Sequence, residues 1–229
     1  VLGFFWTFIN PLLQLVVYTI VFSFILKTNI ERYYLYLFVA LIPWIFFSSS
    51  ITVGSASIVA QKDLIKKIYF PRMVIPISYV TSSFVNMLLC FIVIFAVIIV
   101  SGAGINFLAL LTLPVIMLVE YILALGMAML TSAITVYFRD LEHILGIVTM
   151  AWMYMTPIMY DKSIVPENLM PIFNLNPMTH VIECYRAVLY EKKIPDLTTL
   201  LSAAGLGILI LIVGILVFNK LQKRFAEEL

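Results

Sequence analysis

Charge is what this chain has least of. Only 11% of its 229 residues are Asp, Glu, Lys or Arg, against about 25% in soluble domains. A water-facing domain of ordinary size cannot be drawn from that material. The longest stretch between apolar runs covers residues 161–197, and apolar clusters break it too. A Rossmann or P-loop module has no room. No G-x-x-x-x-G-K-[ST] string occurs, which excludes a phosphate cradle of that kind on this chain. G-x-S-x-G, metal-ligand spacings and paired carboxylates are missing as well, so nothing supports hydrolysis or group transfer by the chain itself. A net charge of +2 gives no footprint for nucleic acid. The two cysteines, Cys90 and Cys184, are far apart and read as small buried apolar residues.

What is abundant is hydrocarbon. The hydrophobic fraction is 63%, and the mean hydropathy is +1.11. Six apolar runs cover residues 2–26, 35–58, 75–100, 107–136, 144–160 and 198–218. Crossing a bilayer core takes about 20 apolar residues in a helix. Five runs reach that length, and 144–160 is borderline. The first run is too long for a signal peptide and has no small-residue cleavage site. Only helices and closed barrels satisfy their backbone in lipid, and the runs lack the alternation of barrel strands. The expectation is an all-α integral membrane protein: one domain, residues 1–229, with six transmembrane helices.

The connections set orientation. Lys62, Lys66, Lys67 and Arg72 crowd the second one against a single acid, Asp63. Arg139 lies in the fourth, and Lys220, Lys223 and Arg224 in the tail. With six spans these share one side, which predicts cytoplasmic termini. Within 61–72, Leu64, Ile65, Ile68 and Tyr69 recur on one face, and lysines fill the other. An amphipathic cytoplasmic helix lying flat at the interface follows, stopped by Pro71. The alternative is a solvated basic linker. Residues 165–173 and 177–190 each look helical but are too short to span. They read as two short re-entrant helices on the outer side, with Pro166 and Pro177 in first turns.

Polar groups inside runs are the place to look for chemistry. Glu120 is the only acid well inside one. It is either a proton or cation site or a carboxyl bonded to a neighbouring helix. Pro114, six residues upstream, is expected to kink that helix. Ala124, Ala128 and Ser132, and likewise Ala203 and Gly207, recur every four residues and read as close-packing surfaces. The second run ends in Ser48, Ser49, Ser50, Thr52, Ser55 and Ser57. These hydroxyls either bond back to the helix or line a wet pathway. Among the 17 Phe, 12 Tyr and 3 Trp, many sit at run ends, as interfacial belts require. Deeper ones could stack on sugar rings or simply pack.

Four strings resemble one family in its own order. They are V-L-G-F-F-W-T-F-I-N-P-L-L at 1–13, L-I-K-K-I-Y-F-P-R at 64–72, V-Y-F-R-D-L-E-H-I at 136–144 and N-P-M-T-H-V-I-E-C-Y-R-A-V-L-Y at 176–190. Together they resemble type-2 ABC exporter permeases of the polysaccharide branch, which exports O-antigen, capsular and teichoic-acid chains. The resemblance implies a homodimeric channel in the bacterial cytoplasmic membrane, each subunit paired with a separate ATPase that carries ATP and magnesium. It implies no cofactor on this chain, no enzyme activity, membrane lipid as surroundings and a lipid-linked polysaccharide as substrate. ATPase coupling would fall on Leu64, Lys66, Lys67, Tyr69 and Arg72, and on Arg139, Asp140, Glu142 and His143. The channel would be lined by Phe4, Phe5, Phe8, Tyr18, Trp152 and Tyr154. An external gate would include Pro177, His180, Glu183, Tyr185 and Arg186. The alternatives are an ABC exporter of a drug-like or lipid substrate, an integral-membrane enzyme of glycan or lipid synthesis, and an ion-coupled transporter.

Overall fold

The computed structural model describes residues 2–21, 30–68 and 70–228, without the side chains of 2–8 and 226. Among the described residues the regular elements are all helical. They are α1 (Leu2–Thr19), α2 (Tyr33–Ala60), α3 (Lys62–Lys67), α4 (Val74–Val100), α5 (Phe107–Leu110), α6 (Leu113–Tyr137), α7 (Leu141–Tyr154), α8 (Met170–Leu175), α9 (Pro177–Leu189), α10 (Leu197–Leu221) and α11 (Phe225–Glu228).

Four helical stretches are long and apolar enough to cross a membrane: Tyr33–Ala60, Val74–Val100, Phe107–Tyr137 and Leu197–Arg224. Four of the six expected spans thus correspond to helices of crossing length, and the remaining two apolar runs form shorter helices. α1 has 18 residues and α7 has 14. At 1.5 Å per residue, α7 covers roughly 21 Å. It stops because Thr156 precedes Pro157, and a residue before proline is pushed out of the helical region.

α2 is the centre of the bundle. From Tyr33 to Phe47 it is apolar all round and covered on nearly every side, while Val53 further along is 46% exposed. α1, α4, α6, α7 and α9 all pack on it. Leu37, Val39, Ala40 and Leu41 are fully shielded. α6 lies between α2 and α10, and glycine sets how closely. A Cβ on Gly126 would stand 2.6 Å from the Leu211 backbone. One on Gly54 would stand 2.9 Å from the Ala128 Cβ. Small residues allow such approaches, and dispersion between the touching backbones replaces the hydrophobic drive that lipid does not supply. Ala124, Ala128, Ser132 and Ala203 are buried on these faces.

Two local expectations change. Pro114 does not kink a helix interior. It occupies the first turn of α6, after a break at residues 111–112, where its missing N–H costs no hydrogen bond. The segment 165–173 is not one helix. It is a 3-10 turn at Glu167–Leu169 followed by the six-residue α8, with a further turn at Lys162–Ile164. Pro166 and Pro171 divide it. α9 forms as expected, with Pro177 in its first turn and the Asn176 side chain capping the Met178 amide.

Candidate functional site

One end of the bundle carries α3, the α6–α7 connection and the end of α10. α3 is a single turn and a half, shorter than the amphipathic helix expected there. Ile65 is its anchor. It packs with Ile58, Ile75, Met129, Phe218 and Phe225 in a small separate core. Leu64 and Ile68 are left 40% and 57% exposed, beside exposed Lys66 and Lys67. Tyr69 lies outside the described residues. Arg72 turns inward. Its guanidinium donates to the Gln222 carbonyl and sits 6.0 Å from the Phe225 ring centre. Tyr137 donates to the Leu221 carbonyl at 2.9 Å. These two donors take up carbonyls at the end of α10, where intrahelical partners run out. Arg139, Asp140, Glu142 and His143 are all exposed.

From this end a groove runs along α2 and α7. Glu142 and His143 stand at its mouth with Thr52, Val53, Ala56 and Gly146. Thr52 and Gly146 also belong to the next stretch, a cavity of about 430 Å³ lined among others by Gln14, Tyr18, Trp44, Ser49 and Thr149. Gln14, Ile45 and Ser49 are shared in turn with a cavity of about 230 Å³ between α1, α2 and α4. Ser48, Ser50 and Thr52 donate back to carbonyls of their own helix, while Ser48, Ser49 and Thr52 also line the groove. Tyr18 lines the groove. Trp152 is committed to packing: its ring lies 5.2 Å from Phe47 and 6.5 Å from Trp44. Tyr154 is 56% exposed. The side chains of Phe4, Phe5 and Phe8 lie outside the described residues. Gln14, Asn10 and Asn86 were not anticipated as lining residues. An amide in the middle of an apolar run was the available signal.

The opposite end is built around the chain that follows α7. Residues 157–160 are not helical, and their four carbonyls are all taken by side chains from other elements. Arg186 of α9 donates to Pro157 O at 2.5 Å and Ile158 O at 2.6 Å. Tyr33 and Tyr36 of α2 donate to Met159 O at 2.8 Å and Tyr160 O at 3.0 Å. Non-helical backbone at membrane depth persists only where protein or water satisfies it. The Arg186 guanidinium also lies 3.6 Å over the Tyr36 ring, a cation–π contact that helps hold a charge only 6% exposed. Asn176 ties the other end of the break. It accepts from Trp152 Nε1 at 3.0 Å and donates to Thr156 Oγ1 at 2.9 Å.

Of the expected gate residues, Pro177, Tyr185 and Arg186 are buried against the bundle. His180 bonds through Nε2 with the Asn174 carbonyl at 2.7 Å. Glu183 pairs with Lys162 at 2.7 Å. Asp161 caps the turn after the break by accepting from the Ser163 amide at 2.8 Å. Those Ser163 bonds, with a smaller contribution from the Arg186 charge, hold its carboxyl below the ordinary carboxylate value. Burial pushes the Cys184 thiol up to about 12, which leaves it inert as a nucleophile. Neither cysteine is bonded to the other.

A helical bundle with four helices long and apolar enough to cross a membrane and a groove carrying hydroxyls and amides along it is the frame of a multi-pass membrane protein. The chain matches the ABC-2 type transporter family over residues 1–190 and belongs to that family. It is therefore a transport subunit. Among similar proteins is the O-antigen export system permease protein RfbA of Myxococcus xanthus, 32% identical over 230 residues, covering all of this chain and 88% of the relative. Two proteins of the same description from Klebsiella pneumoniae are 34% and 32% identical over 229 residues, again with all of this chain and 88% of each relative covered.

Proposed function

We propose that this chain is the membrane subunit of an ATP-driven exporter that moves a lipid-linked, O-antigen-like polysaccharide across the bacterial cytoplasmic membrane. The observation that carries this reading is whole-length similarity to three permeases described as O-antigen exporters, joined to a groove that has sugar-compatible hydroxyls, amides and aromatic rings along it. α1 and α7 complete six spans. α7 is short because the break at 155–160 and the re-entrant α9 fill the remaining depth. Both termini lie in the cytoplasm with α3.

Two copies face each other across α7, most of whose surface is exposed in a single subunit. Such a homodimer turns the groove of each copy into one wall of a channel. Tyr18 and Tyr154 are its aromatic lining. α9, held by Arg186 and Tyr185, is the external gate. ATP and magnesium belong to a separate ATPase chain. That partner docks on Leu64, Ile68, Lys66 and Lys67 of the α3 segment and on Arg139, Asp140, Glu142 and His143. Arg72 and Tyr137 bind the same end to α10, so displacing the docked elements tilts α4, α6 and α10 together. A two-state bundle biased by the nucleotide state of the partner is the physical content of coupling.

The test is export. The chain and its partner ATPase are expressed in a strain whose own O-antigen permease is deleted. Surface polysaccharide is expected to return, and it is expected to be lost when Lys66→Glu and Lys67→Glu are combined, together with retention of the ATPase in a pulldown. Restored drug or lipid efflux without surface polysaccharide would overturn the substrate assignment.

A further inference from the structure

The cavity between α1, α2 and α4 is polar in an unusual way. Asn10, Gln14, Ser49, Ser83 and Asn86 line it, and none of its described lining residues is charged. The same holds for the 430 Å³ groove it joins through Gln14, Ile45 and Ser49. Asn86 lies one residue from the midpoint of α4, so these groups stand at the depth where water is scarcest. Ser49 and Ser83 share one long bond of 3.4 Å. Asn10 and Asn86 are exposed on the single subunit and Gln14 is half-buried, and the three amides make no hydrogen bond to another described residue. An amide unpaired in hydrocarbon costs several kcal/mol, about 2–7 depending on the reference. Something must meet these donors and acceptors.

The lining chemistry selects among occupants. An anionic or cationic ligand would find no counter-charge. A lipid tail would leave every amide unpaired. A neutral chain rich in hydroxyls offers both donors and acceptors, which is what Asn, Gln and Ser side chains exchange with. The two connected cavities together fall within the usual range for ligand sites, about 300–1,000 Å³. We infer that the Gln14–Ser49–Asn86 cavity beneath α1 is a subsite for uncharged sugar units of the exported chain, entered from the α2–α7 groove. This rests on the polysaccharide reading above and narrows it: sugar units at this point carry no carboxylate or phosphate.

The experiment places a photoreactive benzoylphenylalanine at position 86 and, as a control, at position 92. Ile92 is exposed on the same helix, as Asn86 is, but does not line the cavity. The full chain is expressed with its ATPase in cells making a neutral O-antigen, irradiated, and probed for glycan on the permease band. A glycan-bearing adduct is expected at 86 and not at 92. Asn86→Leu is expected to lower export about tenfold, the worth of one hydrogen bond to a ligand, with ATPase activity of the complex retained, and Asn86→Gln is expected to restore most of it. An adduct only with lipid or with a second copy of the chain, or equal export by Asn86→Leu, overturns the subsite while export by the unaltered chain still upholds the polysaccharide reading. Loss of export by the unaltered chain itself overturns both.

Discussion

The phenol of Tyr185 on α9 donates a 2.7 Å hydrogen bond to Oε2 of Glu120 on α6, and neither side chain reaches solvent. The pair joins residues 65 positions apart. It supplies the bond to a neighbouring helix that one of the two roles open to Glu120 from sequence requires. The partner is a neutral hydroxyl, not a cation, and the bond ties a long helix to the short one that seals the end of the bundle. The second carboxyl oxygen has no partner, so the tie leaves one acceptor unmet at a buried site.

Removing the donor leaves both carboxyl oxygens of Glu120 buried without a partner. Tyr185→Phe is expected to destabilise the protein by about 1–3 kcal/mol, read as a lower midpoint of thermal unfolding in detergent. Glu120→Gln keeps an oxygen acceptor for the phenol. It is expected to retain most stability and most export. Complete loss of export in a well-folded Glu120→Gln protein would point to ion coupling instead.

Arg186 is the single residue on which the break after α7 most depends. Arg186→Met frees the Pro157 and Ile158 carbonyls inside the bundle. Hydrogen bonds from a charged donor are worth about 1.5–3 kcal/mol each, so this variant is expected to be among the least stable. Arg186→Lys is expected to recover little, because one ammonium cannot reproduce the two-pronged geometry or the stacking on Tyr36. Protease cleavage within 155–165, compared across the three proteins, measures it.

Gly126 separates crowding from mere helix propensity. Gly126→Ala forces α6 and α10 apart and is expected to cost about 1–3 kcal/mol, as over-packing does. Gly205→Ala meets nothing within 4 Å on the same helix pair. It is expected to be neutral, or stabilising by about 0.5–1 kcal/mol, since alanine favours helix over glycine. Equal shifts in the two unfolding midpoints would contradict the close approach.

The two aromatic residues of α7 are expected to part company. Trp152→Ala removes a ring wedged against Trp44 and Phe47 together with the bond to Asn176, so assembly and export should fall together, with a stability loss of roughly 2–4 kcal/mol, somewhat under that of a fully buried ring. Tyr154→Ala removes an exposed ring and is expected to lower export while yield and oligomeric state hold. Size-exclusion profiles beside surface-glycan blots distinguish the two.

Much of this architecture was readable from local pattern. The bounds of α2, α4 and α10 fall within three residues of the apolar runs. α9 was visible because Pro177 suits a first turn and an apolar stripe, Val181, Ile182, Tyr185, Val188 and Leu189, runs along it. The two shorter helices, α1 and α7, were harder. Residues 144–160 look like one continuous apolar run, and nothing in their hydropathy says that the helix stops at Tyr154. Pro157 carried that information. Ile65 also illustrates the limit: four apolar residues share the face read from sequence, yet the chain buries this one and leaves Leu64 and Ile68 for something else. Arg72 was grouped with the docking lysines as part of the 64–72 string, and nothing in that string shows that its guanidinium bonds to residue 222.

The sequence by itself determined the solvent, the helices and the family, because these rest on runs of neighbouring residues. In lipid each helix satisfies its own backbone, so a span is a local property. Only the tertiary structure decided which polar groups meet. Tyr33 and Met159 are 126 residues apart, and Arg72 and Gln222 are 150. Such pairs form because packing α2, α6, α9 and α10 through their small residues brings remote donors to carbonyls that the broken helices leave open, and no stretch of chain records that meeting in advance.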